Sequence, residues 1–490
     1  MAKIHFNRRK FLHLGALTVT TGVGLDLSNL VGMAESRGVD KRPKPNVLFI
    51  AADDLRCNLG CYGDTLVKSP NLDRLANRGV TFEWAYCQQA LCNPSRASLL
   101  TGRRPDSLGI WNLETHFRQV IPDIVTFPQW FKQHGYFTQN IGKIFHNWRQ
   151  DAYKGDPTSW SVPAVMHYGT HGSDKAVVDD PVPPNLAKDR TTVCRDVPDE
   201  AYFDGRIAAK SVKALRKLKT LGQPFFLAVG FWKPHSPFNA PKRYWDLYEG
   251  NQIPLPANPK PPKDVPAIAL HNSREILGTK GRTLSNDAVR EIRHGYLAAI
   301  SYLDAQVGKV LDELDRLGLT DNTVVVFWAD HGYHLGEKSL WAKTSNFELD
   351  ARVPLIIAAP KLKTANRKTS ALVELLDLYP TLSELCGLPK PVGVQGKSLV
   401  PVLKDPGAKV KDAAFTQHPR PAYYKGRPDV MGYSVRTTNY RYTEWRDWET
   451  GKTVARELYA HDKDPAETRN IVDMMEMKSV VAELSNLLTR

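Results

Sequence analysis

The 490-residue sequence is poor in cysteine and, after its N-terminal segment, has no hydrophobic run of transmembrane length. A transmembrane helix needs about 20 consecutive apolar residues, and no window reaches that length. Internal repeats and low-complexity tracts are also missing. These absences exclude a disulfide-built module and a repeat protein, and we expect no stable membrane insertion. The six cysteines are Cys57, Cys61, Cys87, Cys92, Cys194 and Cys386.

Acidic residues are in short supply relative to basic ones, 52 against 66, which gives a formal net charge of +14. Such a surplus attracts anionic partners over long distances. The basic residues are spread along the chain, and no recognition module of a nucleic-acid-binding protein is found. We therefore expect a polyanionic substrate and no nucleic acid, with a merely solvated basic surface as the alternative.

The N-terminus has the pattern of an export signal. A twin-arginine stretch, Asn7 to Leu12, precedes a weakly apolar run from Leu12 to Leu25 and the small residues around Ala34. This order is typical of twin-arginine signal peptides. We predict a signal peptide over residues 1–34, a linker over 35–45, and a protein that works in the periplasm or outside the cell.

Hydrophobic runs of strand length alternate with helical patterns through most of the chain. Nearly continuous apolar runs, typical of strands buried on both faces, cover 46–52, 225–230, 323–329 and 354–359. This alternation predicts an α/β domain with a doubly wound, mainly parallel sheet over 46–389. Residues 151–198 read as a long insertion of loops. The shorter alternating segments after about 390 predict a small antiparallel α+β subdomain over 390–490.

Acidic side chains follow two of the predicted buried strands. Asp53 and Asp54 end the first, and Asp330 and His331 end another. Ligands bind at the carboxyl ends of strands in α/β sheets, and clustered carboxylates there repel one another unless a cation joins them. Oxygen-rich ligation favours Ca²⁺ or Mg²⁺ over zinc. The alternative is that each pair only caps the turn that follows it.

Further candidates are spread along the chain. Cys92 stands near the start of a predicted helix, where the helix dipole favours an anion, and Arg96 lies one turn beyond it. Taken singly, such residues are more often structural or solvated than catalytic. The polar residues that follow apolar strands or lie in adjacent loops are Lys143, His146, His235 and Lys343.

The stretch Cys92-Asn93-Pro94-Ser95-Arg96, continuing to Arg103, resembles the sulfatase signature, and Gly135 to His146 resembles the second signature of that family. One departure is Asn93, where the family more often has a small residue. The resemblance implies an alkaline-phosphatase-like fold. It also implies that a formylglycine-generating enzyme oxidises Cys92 to the aldehyde formylglycine.

The resemblance also implies roles for the candidate residues. Asp53, Asp54, Asp330 and His331 would hold Ca²⁺, which the family favours over Mg²⁺, together with the modified Cys92. Arg96 would orient the hydrated aldehyde, and Lys143 and Lys343 would stabilise charge on the sulfuryl group. His146 and His235 would move the protons of the diol and of the leaving sugar oxygen, and either histidine could take either role.

Within that family the closest resemblance is to the iduronate-2-sulfatase branch. The matching blocks are Asp53 to Arg56, Gly60 to Asp64, Lys233 to His235, Asp330 to Gly332, Trp341 to Lys343 and Met431 to Ser434. They imply an exo-acting hydrolase of sulfate esters on a sulfated oligosaccharide or polysaccharide fragment. The alternatives are a sulfatase of another polysaccharide, such as an algal one, a phosphatase or phosphonate-ester hydrolase, and a non-catalytic polyanion-binding protein.

Overall fold

The computed structural model describes residues 44–146, 151–167, 192–271, 274–278 and 283–489. The predicted signal peptide and nearly all of the predicted linker lie outside these ranges, and so does the middle of the predicted insertion, 168–191. Within the described ranges no helix combines the length and the apolar character that a bilayer span requires. The six cysteines are free thiols.

The strands, in chain order, are β1 (Asn46–Asp53), β2 (Val80–Tyr86), β3 (Phe137–Gly142), β4 (Thr192–Arg195), β5 (Phe225–Pro234), β6 (Phe238–Pro241), β7 (Thr323–Ala329), β8 (His334–Leu335), β9 (Trp341–Ala342), β10 (Arg352–Ala358), β11 (Arg367–Thr369), β12 (Val373–Glu374), β13 (Ala414–Arg420), β14 (Val430–Arg436), β15 (Tyr440–Asp447) and β16 (Thr453–Ala460).

The helices are α1 (Pro70–Arg78), α2 (Cys92–Thr101), α3 (Pro105–Leu108), α4 (Phe117–Val120), α5 (Phe127–Gln133), α6 (Phe203–Leu221), α7 (Lys242–Trp245), α8 (Arg274–Leu277), α9 (Asn286–Arg316), α10 (Glu348–Ala351), α11 (Leu378–Leu385), α12 (Val400–Lys404) and α13 (Lys478–Leu487).

The central sheet has the order β11-β2-β10-β7-β1-β5-β3, with β12 beside β2. Strand β1 pairs in parallel with β5 and β7, and β3 pairs in parallel with β5. Every residue of β1 is buried, so both faces of the sheet are covered, with α1 and α6 packed against α9 and with α5 and α11 packed against α2. The predicted doubly wound, mainly parallel sheet is confirmed. Strand β10 is the exception, because it runs antiparallel to both neighbours.

The C-terminal part forms a four-stranded antiparallel sheet in the order β13-β14-β15-β16. Helix α13 covers one side of it through a cluster that includes Leu484, Tyr442 and Leu458. The predicted small antiparallel subdomain is therefore present, and its exact boundary near residue 390 stays a prediction. The sequence analysis did not predict eight of the strands, most of them short: β2, β4, β6, β8, β9, β11, β12 and β13. Strand β4 lies within 151–198, which was predicted to consist of loops. Strand β2 follows α1 after a single glycine, Gly79, so no loop separates the two patterns.

A close contact between two glycines positions the chain after β3. Gly142 lies opposite Gly230 of β5, and the Lys143 N–H donates to the Gly230 carbonyl over 2.8 Å. A Cβ atom on Gly230 would overlap the backbone of Lys143. Strand β5 therefore needs glycine at this position so that the backbone leading into Lys143 can approach it.

We expect Gly230→Ala to lower the free energy of unfolding by about 1–3 kcal/mol, because the backbone it meets has no room to move without strain. Denaturant unfolding measures this change. Gly407→Ala is the matched control, since its added Cβ meets only the Asp405 carboxylate at 3.3 Å and should cost less than about 0.5 kcal/mol. Equal stability of the two variants would contradict the packing assigned to Gly230.

Candidate active site

The two acidic strand ends meet in the centre of the sheet. Strands β1 and β7 are adjacent and parallel, with Ala52 paired to Ala329, so the residues that follow emerge side by side. The Asp54 N–H donates to Asp330 Oδ1 over 3.1 Å, and His331 Nε2 lies 3.3 Å from Asp54 Oδ1. Asp54 has φ 62°, a left-handed conformation that Asp tolerates better than most residues. The structure thus brings the predicted pairs together, fully buried.

Cys92 is the first residue of α2 and faces these carboxylates. Its Sγ atom lies 3.4 Å from His331 Nε2 and 3.7 Å from Asp53 Oδ1. Burial raises the pKa of the Cys92 thiol well above its ordinary value, although Lys143 and Lys343 oppose this effect. Desolvation thus opposes the preference for an anion that a helix N-terminus provides. An unmodified Cys92 is a weak nucleophile in this environment.

Arg96 lies one helical turn after Cys92 and is completely buried. Its guanidinium donates to Asp330 Oδ2 over 2.8 Å and to Asp53 Oδ1 over 3.1 Å. The same group donates to the carbonyls of Lys143, at 2.8 Å, and Ile144, at 3.0 Å. One side chain thus joins the ends of β1 and β7 to the segment after β3.

Two buried lysines pair with the acids of the site. Lys143 Nζ donates to Asp53 Oδ2 over 2.6 Å, and Lys343 Nζ lies 2.8 Å from both Asp54 oxygens. Lys343 reaches this position from the short segment after β9. Both ammonium groups lie beside the carboxylates near Cys92, where an anionic group of a substrate would meet positive charge.

The two predicted histidines differ in burial. His235 is buried, and its Nδ1 lies 2.6 Å from the Ser236 carbonyl, which favours the tautomer in which Nε2 accepts from Lys343 Nζ over 3.1 Å. Burial, and next Lys343, lower the pKa of His235 to about 3. His146 is half-buried, and burial followed by Lys143 lowers its pKa well below the ordinary value. Both rings are therefore neutral near pH 7.

The donor atoms suit a divalent cation. Two overlapping sets have ligand atoms within 4.8 Å of one another: Asp53, Asp54, Cys92 and His235, and Asp54, Cys92, Asp330 and His331. Burial raises the pKa of Asp54 well above its ordinary value; Lys343 opposes this effect, and Glu275, Asp53 and Asp330 add to it. The set thus combines several carboxylate oxygens with one or two softer ligand atoms. A hard cation with oxygen ligands fits this set.

A third possible metal-binding set, Glu348, His461 and Glu467, lies apart from Cys92. Its acids are already paired: Arg441 contacts Glu348 at 2.5 Å and Glu467 at 3.0 Å. Burial would raise the pKa of Glu467, yet the hydrogen bond from His461, and next the charge of Arg441, bring it down to about 2. This set is a structural ion-pair network rather than a cation site.

Glu275 is a site residue that the sequence analysis missed. Its Oε1 lies 2.8 Å from Lys343 Nζ and 3.8 Å from His235 Nε2. Burial alone would raise its pKa, but Lys343 and then His235 lower it to about 2. Glu275 belongs to the one-turn helix α8, which follows a proline-rich stretch, and no motif or strand end marks it in the sequence.

We expect Arg96→Ala to lower the free energy of unfolding by about 3–5 kcal/mol, because it leaves two buried carboxylates without their shared partner. Denaturant unfolding of the metal-free protein measures the effect. Arg74→Ala is the control: its bond to Asp312 is largely exposed, so the loss should stay below about 1 kcal/mol. A similar small loss for Arg96→Ala would show that Arg96 does not hold the site together.

Comparisons with known proteins agree with this geometry. The family model for Sulfatase matches residues 45–388, and the model for the C-terminal part of N-sulphoglucosamine sulphohydrolase matches 336–490. The iduronate 2-sulfatase of Mus musculus is 37% identical, over 87% of this chain and 90% of that protein. A sulfatase of Formosa agariphila is 33% identical, over 93% of this chain and 89% of that protein.

Solved structures share the fold. A protein in complex with its substrate D-glucosamine-2-N,6-O-disulfate has a TM-score of 0.70 and 25% identity, over 91% of this chain and 97% of that chain. The phosphonate monoester hydrolase of Agrobacterium radiobacter has a TM-score of 0.74 and 20% identity, over 91% of this chain and 95% of that chain. At this identity the likeness shows a shared fold only. The extent of the family match and the identity to curated sulfatases establish that this chain belongs to the sulfatase family and is a sulfuric ester hydrolase.

Proposed function

We propose that this sulfatase hydrolyses sulfate esters on a sulfated saccharide, through a formylglycine made from Cys92 and a bound Ca²⁺. The observation that carries the proposal is the position of Cys92, between Asp53 and His331 in a buried cluster of three carboxylates. The high pKa of its thiol supports a modified residue rather than the thiol as the reacting group. The formylglycine-generating enzyme would be the partner that carries out the modification.

The proposed cofactors have distinct tasks. Asp53, Asp54, Asp330 and His331 would hold Ca²⁺ together with the modified Cys92, and the ion would supply positive charge to the sulfuryl oxygens. The hydrated aldehyde would supply a hydroxyl nucleophile toward sulfur and a second hydroxyl on the same carbon, through which the sulfate could later be released. An unmodified thiol carries no hydroxyl, so this chemistry would require the modification.

The chain's own residues bind the sulfate group and move protons. Lys143 and Lys343, both buried, would offset the negative charge that builds on the sulfuryl oxygens. Arg96 is hydrogen-bonded to Asp53 and Asp330, so its role would be to hold these carboxylates in position relative to residue 92. The neutral ring of His235 could accept a proton at Nε2 and pass it on, and the neutral ring of His146 could likewise exchange a proton.

The proposed substrate is a saccharide with a terminal sulfated uronic acid, cleaved from the chain end. The similarity to iduronate 2-sulfatases of Mus musculus and Homo sapiens supports this, at 37% and 35% identity. The relative from Bacteroides thetaiotaomicron, an N-acetylglucosamine-6-O-sulfatase, is 25% identical, so another sulfated sugar is the alternative. The predicted twin-arginine signal would place the enzyme in the periplasm or outside the cell, where such saccharides are encountered.

Chelation should remove both activity and stability. We expect EDTA-treated protein to lose sulfatase activity by on the order of 100-fold or more and to regain it with Ca²⁺, because the cation neutralises the carboxylate cluster. Its free energy of unfolding, measured with denaturant, should rise as Ca²⁺ is added. The increase should be about 2.7 kcal/mol when the free Ca²⁺ concentration is 100 times Kd. Asp54→Asn should abolish that Ca²⁺-dependent rise. If Ca²⁺ does not change the free energy of unfolding of the unsubstituted protein, the proposed metal site is contradicted.

A screen of defined saccharides tests the substrate. We expect release of sulfate from a disaccharide with a non-reducing 2-sulfated uronate, and little release when the same unit is internal, because an exo-acting pocket accepts only a chain end. Ion chromatography of free sulfate is the measurement. Release of sulfate from sulfated galactose or fucose but not from the uronate would agree with sulfatase activity and contradict a sulfated uronate as the substrate. Equal rates at internal and terminal units would overturn exo action.

A further inference from the structure

Asn93, the residue at which the signature departs from its family, is fully buried and binds a neighbouring loop. Its amide nitrogen donates to the Asn112 carbonyl over 2.9 Å and to the Thr115 carbonyl over 2.8 Å. Both N–H bonds of the side chain are therefore used. A small side chain at position 93 could not reach two carbonyls three residues apart, so both would lose their donor.

The loop held by Asn93, residues 111–116 and here called the wall loop, forms one side of a cavity of about 300 Å³. Leu91, the residue before Cys92, also lines the cavity, and Ala422 to Lys425 form the opposite side. The volume lies at the lower end of the range for small-molecule sites, about 300–1,000 Å³. The cavity therefore adjoins the N-terminus of α2, where the reacting residue stands.

Tyr424, one of the lining residues, has an unused hydrogen-bonding group beneath the cavity surface. The Tyr424 hydroxyl is buried and has no hydrogen-bond partner among the residues that the structure describes. Burial, and next the charge of Glu114, raise the pKa of Tyr424 to about 12, so its hydroxyl keeps its proton and can donate. Glu114 and Lys425 add one charge of each sign at the exposed rim. A hydroxyl-rich ligand suits this lining better than an apolar one.

We propose that Asn93 is a positioning residue that holds the wall loop, and that the cavity binds the part of a saccharide substrate beyond the sulfated sugar. This inference rests on the proposed function. Asn93 touches neither the reacting atoms nor the cavity directly; it acts through the backbone of Asn112 and Thr115. Gln89 supports the same loop, since its amide donates to the Trp111 carbonyl over 2.8 Å.

The test compares two substrates of unequal size: 4-nitrophenyl sulfate, whose leaving group is small, and a disaccharide with a terminal sulfated sugar. The variants are Asn93→Asp, which has the same shape without the donors, and Asn93→Ala. Rates are expressed per aldehyde measured at Cys92 by mass spectrometry, because position 93 lies inside the modification motif. Tyr424→Phe tests the cavity from its opposite side.

We expect both Asn93 variants to raise KM for the disaccharide by about tenfold with kcat changed less than about threefold, since the loss falls on binding beyond the reacting group. KM for 4-nitrophenyl sulfate should change less than about twofold. Tyr424→Phe should likewise raise KM for the disaccharide but not for 4-nitrophenyl sulfate. Amide hydrogen exchange at residues 113–116 should accelerate in the Asn93 variants only.

Two other results carry different meanings. Equal losses for both substrates, or an unchanged KM for the disaccharide, would overturn the positioning role while leaving the sulfatase intact. Failure of the unsubstituted, aldehyde-containing enzyme to release sulfate from any sulfate ester in the test would instead overturn the proposed function itself.

Discussion

The buried guanidinium of Arg96 is the interaction on which the rest of the site depends. It bonds two carboxylates from two neighbouring strands and two carbonyls from a third segment, all without contact with water. Desolvating these charges is costly, and only close, complete pairing offsets the cost. Removal of the guanidinium would leave the acids to repel one another in a medium of low polarity. The same contact places Cys92, one turn earlier on α2, against Asp53 and His331.

The same arrangement disfavours ionisation of the Cys92 thiol. Thiol nucleophiles are usually activated by a positive surrounding that lowers their pKa. Here burial dominates, and the nearby carboxylates further disfavour a thiolate, so two lysines are not sufficient to ionise the sulfur. In the proposed mechanism, an oxygen nucleophile derived from Cys92 would take the place of the thiol, next to a cation held by the carboxylates. Lys143 and Lys343 would then offset charge on the sulfuryl oxygens.

Much of this could be predicted from the sequence because the strongest signals are local. Strand β1 is apolar throughout and ends in two acids, so its burial and its placement of Asp53 and Asp54 follow from one short stretch. Less could be predicted where position depends on distant partners. Glu275 joins the site only because α8 lies beside Lys343, and the antiparallel direction of β10 depends on how the chain returns to the sheet. The anchoring of the wall loop by Asn93 likewise needs coordinates for both segments.

The central claim is that the reacting group is the aldehyde made from Cys92, and the most direct test varies the aldehyde content alone. Preparations with graded conversion at Cys92, quantified by mass spectrometry of its peptide, can be assayed for sulfate release under one set of conditions. The account predicts that the initial rate rises in proportion to the converted fraction and extrapolates to zero for the intact thiol. A rate that does not change with conversion, or a fully active thiol form, would contradict it.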